Sequence, residues 1–256
     1  MASYLRCENV TIRFGGVVAC DGVNLDIEEG KIIGLIGPNG AGKTTLFNAL
    51  SRFQSYESGS IFYRGASIDR MKSHEIVKLG VARTFQNIRL FGEQTTLANI
   101  LIGTHRLIGN PIANMLWLPW ARDNERRLLR RATEIAEMLH IENELDTLVK
   151  NLPYGVQKRV ELARALAADP EIILLDEPVA GCNDEEITDI REIVHRLNRE
   201  LGLTIFLVEH NMSLVMSVCD YIYVINFGSN LAEGTPDEIR NNSAVIGAYL
   251  GEEYHR

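Results

Sequence analysis

Short apolar runs alternate with glycine-rich and acidic turn signals through the first third of the chain. Leu5–Phe14 and Val23–Ile27 are predicted strands, with turns at Gly15-Gly16 and Glu28-Glu29-Gly30. Lys31–Ile36 is a short apolar strand feeding a glycine-rich loop, and Thr44–Phe53 reads as the helix behind it. Ser60–Tyr63 follows the turn signal Ser58-Gly59 as a further strand. From about Thr84 to Asp169 the pattern changes. Arg122–Leu139 is charged and rich in Ala, Leu, Arg and Glu, which favours helix. Val156, Val160, Ala163 and Ala167 recur at helical spacing, with Lys158, Arg159 and Glu161 on other faces. Glu171–Leu175 is then an unbroken apolar strand of the kind buried on both faces of a parallel sheet. Helix Asp184–Leu201, strand Thr204–Val208, helix Met212–Val218 and strand Tyr221–Ile225 follow, an alternation that implies βαβ units. The tail, Pro236–Leu250, reads as one or two short helices. The expectation is an α/β core split into 1–83 and 170–235, a mainly helical insert at 84–169, and a helical tail at 236–256.

Composition narrows the class. The chain has 256 residues, 46% of them hydrophobic, which suits a sizeable core and argues against disorder. Its formal net charge of −8 disfavours nucleic acid as the main partner. Cys7, Cys20, Cys182 and Cys219 stand far apart, as reduced thiols of a cytosolic protein do, and support neither a metal site nor a disulfide framework. The N-terminus lacks the apolar run of a signal peptide, and no stretch approaches the ~20 apolar residues of a membrane span. A membrane role would be played from the cytoplasmic face, through partners.

The glycine-rich loop carries the strongest chemistry. Gly37-Pro38-Asn39-Gly40-Ala41-Gly42-Lys43-Thr44-Thr45 fits G-x-x-x-x-G-K-[ST], between an apolar strand and a helix. Backbone N–H groups can wrap a polyphosphate there because glycine brings no side chain to hold it away. Lys43 supplies a point charge to the β- and γ-phosphates, the Thr44 hydroxyl suits Mg²⁺, and the following helix adds its positive end. Asp176 and Glu177 end a buried strand, where ligands of open α/β sheets bind. Asp176 is the candidate Mg²⁺ ligand, and Glu177 the candidate general base for an attacking water. His210, after the strand at Phe206-Leu207-Val208-Glu209, is either an exposed structural residue or a donor to a γ-phosphate.

These segments resemble, in chain order, the ATP-binding cassette (ABC) ATPase family, over essentially the whole chain. The matching positions are the phosphate loop, Gln86 in Ala82-Arg83-Thr84-Phe85-Gln86, the Leu152–Gln157 signature region, Asp176-Glu177 and His210. The resemblance implies a P-loop NTPase core with a mostly parallel sheet, an N-terminal antiparallel β-subdomain and an inserted α-helical subdomain. It implies ATP and Mg²⁺ as ligands, and a hinge role for Gln86, sensing Mg²⁺ and the γ-phosphate. Phe14 would stack on adenine; the other reading makes it a strand-end core residue. Ala180-Gly181-Cys182-Asn183 would contact the opposite subunit. The signature departs from the usual Leu-Ser-Gly-Gly-Gln: this chain has Leu152-Pro153-Tyr154-Gly155-Val156-Gln157. Pro153 offers neither hydroxyl nor N–H but suits a helix's first turn, so contact with the partner's γ-phosphate would pass to the Gly155 N–H, the helix dipole and the Tyr154 hydroxyl. Asn211 stands where many relatives place aspartate.

Leu-Pro-Tyr-Gly, the stretch at 177–183 and the end Ala232–Gly251 are similar to ATP-binding subunits of branched-chain amino-acid importers. Importers for urea, amides or other amino acids share much of this pattern, and an exporter subunit is a further alternative. The resemblance implies two subunits closing head to tail, with the pairing of two different ATPases favoured. It also implies docking on transmembrane permease subunits and indirect dependence on a solute-binding protein. Met115-Leu116-Trp117-Leu118-Pro119-Trp120 is either packing of the helical insert or a docking surface for membrane subunits or the bilayer interface. Soluble ABC ATPases acting on DNA or ribosomes usually carry coiled-coil insertions or two cassettes, and neither is present. Glu177 and His210 count against a regulatory module without turnover.

Overall fold

The computed structural model describes residues 3–86, 88–107 and 119–253. Two sheets organise it. Strands β1 (Ser3–Phe14), β2 (Val17–Glu28), β4 (Ser58–Tyr63) and β5 (Ala66–Ser67) form an antiparallel sheet in the order β2-β1-β4-β5. Strands β3 (Ile32–Ile36), β6 (Val81–Arg83), β7 (Ile172–Asp176), β8 (Thr204–Val208), β9 (Tyr221–Asn226) and β10 (Ser229–Gly234) form the other, in the order β10-β9-β3-β8-β7-β6. Only the β9–β10 pair there is antiparallel.

The parallel sheet is buried on both faces, which explains its near-continuous apolar strands. Alternation sorts each strand between two cores. Ile33, Leu35, Ile172, Leu174, Phe206 and Val208 pack towards the antiparallel sheet and helix α1 (Lys43–Leu50). Ile32, Ile36, Ile173, Leu175, Ile205 and Leu207 pack on the opposite side, which also holds the buried residues of the helical insert. In chain order the other helices are α2 (Ser73–Lys78), α3 (Thr96–Gly103), α4 (Pro119–Met138), α5 (Tyr154–Leu166), α6 (Asp184–Leu201), α7 (Met212–Val218), α8 (Pro236–Arg240) and α9 (Ser243–Glu253).

Several elements differ from expectation for local reasons. The second strand begins at Val17, because Phe14 and Val17 pair across the Gly15-Gly16 turn although Asp21 and Gly22 interrupt the apolar pattern. Helix α1 stops at Leu50 rather than Phe53, where Arg52 adopts φ 58° and reverses the chain. Pro153 caps α5 from outside the first turn, with extended ψ of 152°. Met115–Leu118 lie outside the described residues, as do all side chains of the aromatic stretch at 115–120.

Candidate active site

The phosphate loop joins β3 to α1 and is braced from two sides. Cβ atoms added at Gly37 and Gly42 would overlap the Ile225 and Ala19 carbonyl oxygens. Gly42 also holds φ 100°, which side chains rarely adopt. The Gly228 N–H donates to Ala41 O (3.0 Å), and the Asp21 N–H to Gly228 O (2.8 Å), tying the β9–β10 turn to both the loop and β2. Lys43 is buried, and its Nζ donates to Gly37 O (2.6 Å) and Pro38 O (2.9 Å). Pro38 and Ala41 are buried, Asn39, Gly40 and Thr44 exposed, and Thr45 half-buried. The loop's outer rim and Thr44 are thus open to solvent. Phe14, at the tip of the β1–β2 hairpin, is 50% exposed. The reading of Phe14 as a strand-end core residue is therefore corrected, and an exposed ring remains.

Asp176 ends β7 at 2% exposure. Its N–H donates to Thr84 Oγ1 (3.2 Å), and Arg83 Nη2 approaches its Oδ2 at 3.4 Å. Arg83 is itself fixed by a bond to Ser51 Oγ (2.6 Å) and by the rings of Phe47, Phe53 and Phe85, 4.6–5.0 Å from its guanidinium carbon. Asp176 Oδ1 is buried without a hydrogen-bond partner. Burial raises the Asp176 carboxyl from 3.8 to about 6, against the pull of Arg83 and with a push from Glu177. A buried carboxylate oxygen left over in this way suits a divalent cation. One carboxylate, with the loop's Thr44 hydroxyl as a candidate second ligand, would match Mg²⁺, which takes few protein ligands and relies on substrate phosphates and water for the rest. Among the described residues no cluster of three His, Cys, Asp or Glu offers a closed metal cage.

Glu177, at φ 47°, turns the chain after β7. Gln86 Nε2 donates to its Oε2 at 2.9 Å, and His210 Nδ1 lies 3.8 Å from its Oε1. Lys158 of α5 donates from Nζ to Gln86 O (3.1 Å), so the Glu177 contact is linked to the helical insert. Asn211 caps α7, its Oδ1 accepting from Leu214 N–H (3.0 Å). The amide at this position does what an aspartate would do.

At the start of α5, Tyr154 is exposed, with Lys158 Nζ 5.7 Å from its ring centre. A Cβ on Gly181 would stand 3.2 Å from the Tyr154 ring, so Tyr154 lies against the 180–183 loop of its own chain. Glu186 Oε1 occupies the space a Cβ on Gly155 would need, while Glu186 Oε2 accepts from Asn183 N–H (2.9 Å) at the α6 cap. The structure thus groups Gln86, Asp176, Glu177 and His210 at the strand ends, and Tyr154 and Gly155 with the 181–186 segment. Reading the sequence missed Arg83 and Glu209. Both lie inside motif stretches, and no local spacing marks them as buried.

Comparison with known proteins identifies the family and the fold. Residues 20–180 match the ABC transporter family, and 229–255 match the branched-chain amino acid ATP-binding cassette transporter family. The high-affinity branched-chain amino acid transport ATP-binding protein BraF of Pseudomonas aeruginosa is 43% identical over 249 residues, spanning 97% of this chain and 98% of that protein. The corresponding LivG of Escherichia coli is 41% identical with the same coverage. A nucleotide-free ATP-binding cassette from an ABC transporter superposes with TM-score 0.84 at 32% identity, covering 96% of this chain and 98% of that one. A cassette in its ADP conformation superposes with TM-score 0.85 at 31% identity, covering 98% and 100%. With the fold, the phosphate loop and relatives along nearly its whole length in agreement, this chain belongs to the ATP-binding subunits of the ABC transporter family.

Proposed function

We propose that the chain hydrolyses ATP at the Gly37–Thr45 loop to drive a membrane importer for branched-chain amino acids. The observation that carries the chemistry is the convergence of Gln86 and His210 on the two oxygens of Glu177, at 2.9 Å and 3.8 Å, beside Asp176. The solute is argued from BraF and LivG, whose names specify branched-chain amino acid transport, and from the C-terminal match at 229–255.

In this reading the backbone N–H groups of Gly37–Thr45 wrap the phosphates, and Phe14 supports the base. Lys43 exchanges the Gly37 and Pro38 carbonyls for β- and γ-phosphate oxygens. Asp176 Oδ1 and the Thr44 hydroxyl would hold Mg²⁺, with Gln86 as a further contact; the ion supplies neutralising charge. Glu177 accepts a proton from water as its oxygen attacks the γ-phosphorus; the bond to the bridging oxygen breaks, and ADP leaves with that electron pair. His210 donates an N–H to the γ-phosphate oxygens. Because Lys158 holds Gln86 and Gln86 holds Glu177, motion of the helical insert bears directly on the base.

Two subunits closing head to tail would complete each site with the partner's Tyr154-Gly155 region. A solved bacterial ABC transporter cassette 25% identical to this chain is dimeric, with TM-score 0.77. Permease subunits at the inner membrane face, fed by a solute-binding protein, are the proposed partners. Among the described residues no helix is long and apolar enough to cross a membrane. The test is Glu177→Gln in the complex copurified from solubilised membranes. Leucine uptake by proteoliposomes and ATP turnover should both stop, while ATP-dependent association of subunits persists. Turnover at the wild-type rate would remove Glu177 from the mechanism, and a bound permease that moves another solute would overturn the substrate assignment.

A further inference from the structure

Glu209 has no part in the mechanism above, yet it is one of the most completely buried charged residues of the chain. Its Oε1 accepts from Val179 N–H at 3.1 Å. Its Oε2 accepts from His210 N–H at 2.9 Å and Asn211 N–H at 3.0 Å. Among the described residues no lysine or arginine stands within ion-pair distance of it; the His210 ring lies 3.8 Å away, and Asp176 and Cys182 are near enough to feel its charge. Stripping water from a carboxylate is costly unless hydrogen bonds replace the hydration. Three backbone donors do that here, and they belong to two loops.

Val179 lies two residues beyond Glu177, in the loop after β7. His210 and Asn211 lead from β8 into α7. The two strands run side by side in parallel, Asp176 opposite Val208. At the base of the loops Glu177 N–H donates to Val208 O at 2.9 Å. Glu177 also holds a left-handed φ of 47°, which a glutamate keeps only when its surroundings impose it.

We propose that Glu209 is a positioning residue for hydrolysis, clamping the Glu177 loop to the His210 loop and so fixing the distance between base and γ-phosphate donor. This rests on the roles given to Glu177 and His210 above. A carboxylate is required because only an acceptor on both sides can serve two loops. In Glu209→Gln the amide oxygen can keep His210 and Asn211, but the amide nitrogen then faces the Val179 N–H, donor against donor. Glutamine therefore frees the Val179 N–H alone, and alanine frees all three donors, while the Glu177 N–H bond to Val208 O remains in both.

The experiment measures kcat, KM for ATP and equilibrium binding of a fluorescent ATP analogue, on the full chain copurified with its membrane subunits. Glu209→Gln should lower kcat by about 10- to 100-fold, the scale of an ångström of misplacement at a reacting centre. KM and analogue affinity should stay within about twofold, because no bond of the phosphate loop is touched. In a His210→Ala background the same substitution should cost less than in the wild type, since one end of the fixed distance is gone. A kcat within twofold of wild type overturns the proposal. So does a loss shared equally between kcat and analogue binding, or full multiplication of the two single losses. If Glu177→Gln itself still turns over, the base assignment has failed, and that result is separate from any obtained at Glu209.

Discussion

Replacing Asp176 by Asn should change how stability depends on pH, in a direction opposite to that of most carboxylates. The Asp176 carboxyl is raised from 3.8 to about 6 by burial, so the native state binds its proton more tightly than the unfolded chain does. Between about pH 4 and pH 6 the native protein holds that proton and the unfolded chain has released it. The stability this group contributes is full below 3.8 and is lost as pH rises through about 6. Each tenfold difference in proton affinity is worth about 1.4 kcal/mol, so the loss is on the order of 3 kcal/mol. Urea midpoints of the wild type and Asp176→Asn, measured without divalent ions from pH 4 to pH 7.5, follow it, because groups remote from Asp176 cancel in the difference and only its charged neighbours, Arg83 and Glu177 foremost, add to it. The wild type should lose ground against the variant up to about pH 6 and then run parallel to it. A difference that is flat with pH, or one that grows in the wild type's favour, would refute the reasoning. With Mg²⁺ and ADP added, stabilisation of the wild type should fade as pH drops below about 6, because a metal takes only the ionised carboxylate.

Gly42→Ala should destabilise the protein by about 2–6 kcal/mol, the sum of left-handed strain and of overlap with the Ala19 carbonyl. It should also weaken ATP-analogue binding, read together with the thermal midpoint; an unchanged midpoint would mean that β2 does not press on the loop. Asn211→Ala should cost about 1 kcal/mol by removing the cap on Leu214 N–H, whereas Asn211→Asp should be nearly neutral. Thermal denaturation distinguishes these cases, and equal losses in both variants would contradict the capping role.

What the sequence made legible follows from how local each signal is. The phosphate loop and the boundaries of α6, β8 and α7 were readable because their chemistry and periodicity lie within a few consecutive residues, while β7 runs one residue later than the expected Glu171–Leu175. The strand Ser229–Gly234 was not, since it is a half-exposed edge held by backbone bonds to β9 rather than by buried side chains. The helices Ser73–Lys78 and Thr96–Gly103 gave no usable pattern either; the first spans only 6 residues, too few to establish a period. Arg83 reads as one basic residue in an apolar run until Phe47 and Phe53, from distant positions, join the nearby Phe85 around it. Glu209 reads as an acid beside a histidine, and only the parallel pairing of β7 with β8 reveals why it is buried. In both cases the missing information is which loops leave the sheet together, a property of topology.

That topology also sets how tightly the site can hold nucleotide. Lys43 donates to two carbonyls of its own loop, Gln86 to Glu177, and the Glu186 carboxylate lies against Gly155 at the start of α5. Each group assigned to a phosphate therefore trades one partner for another on binding, and only the difference contributes to affinity. For Lys43 the exchange favours phosphate, since a charge-assisted bond to an anion is stronger than one to a neutral carbonyl. For the Gly155 end of the proposed dimer, the Glu186 carboxylate beside Gly155 would put a negative charge near the partner's γ-phosphate and so oppose the exchange. In the proposed dimer the phosphate loop would bind nucleotide on its own, and closure against a second subunit would work against the Glu186 charge. Binding before closure is the order the proposed dimer favours, with closure as the step that the Lys158–Gln86–Glu177 hydrogen bonds would transmit to the base.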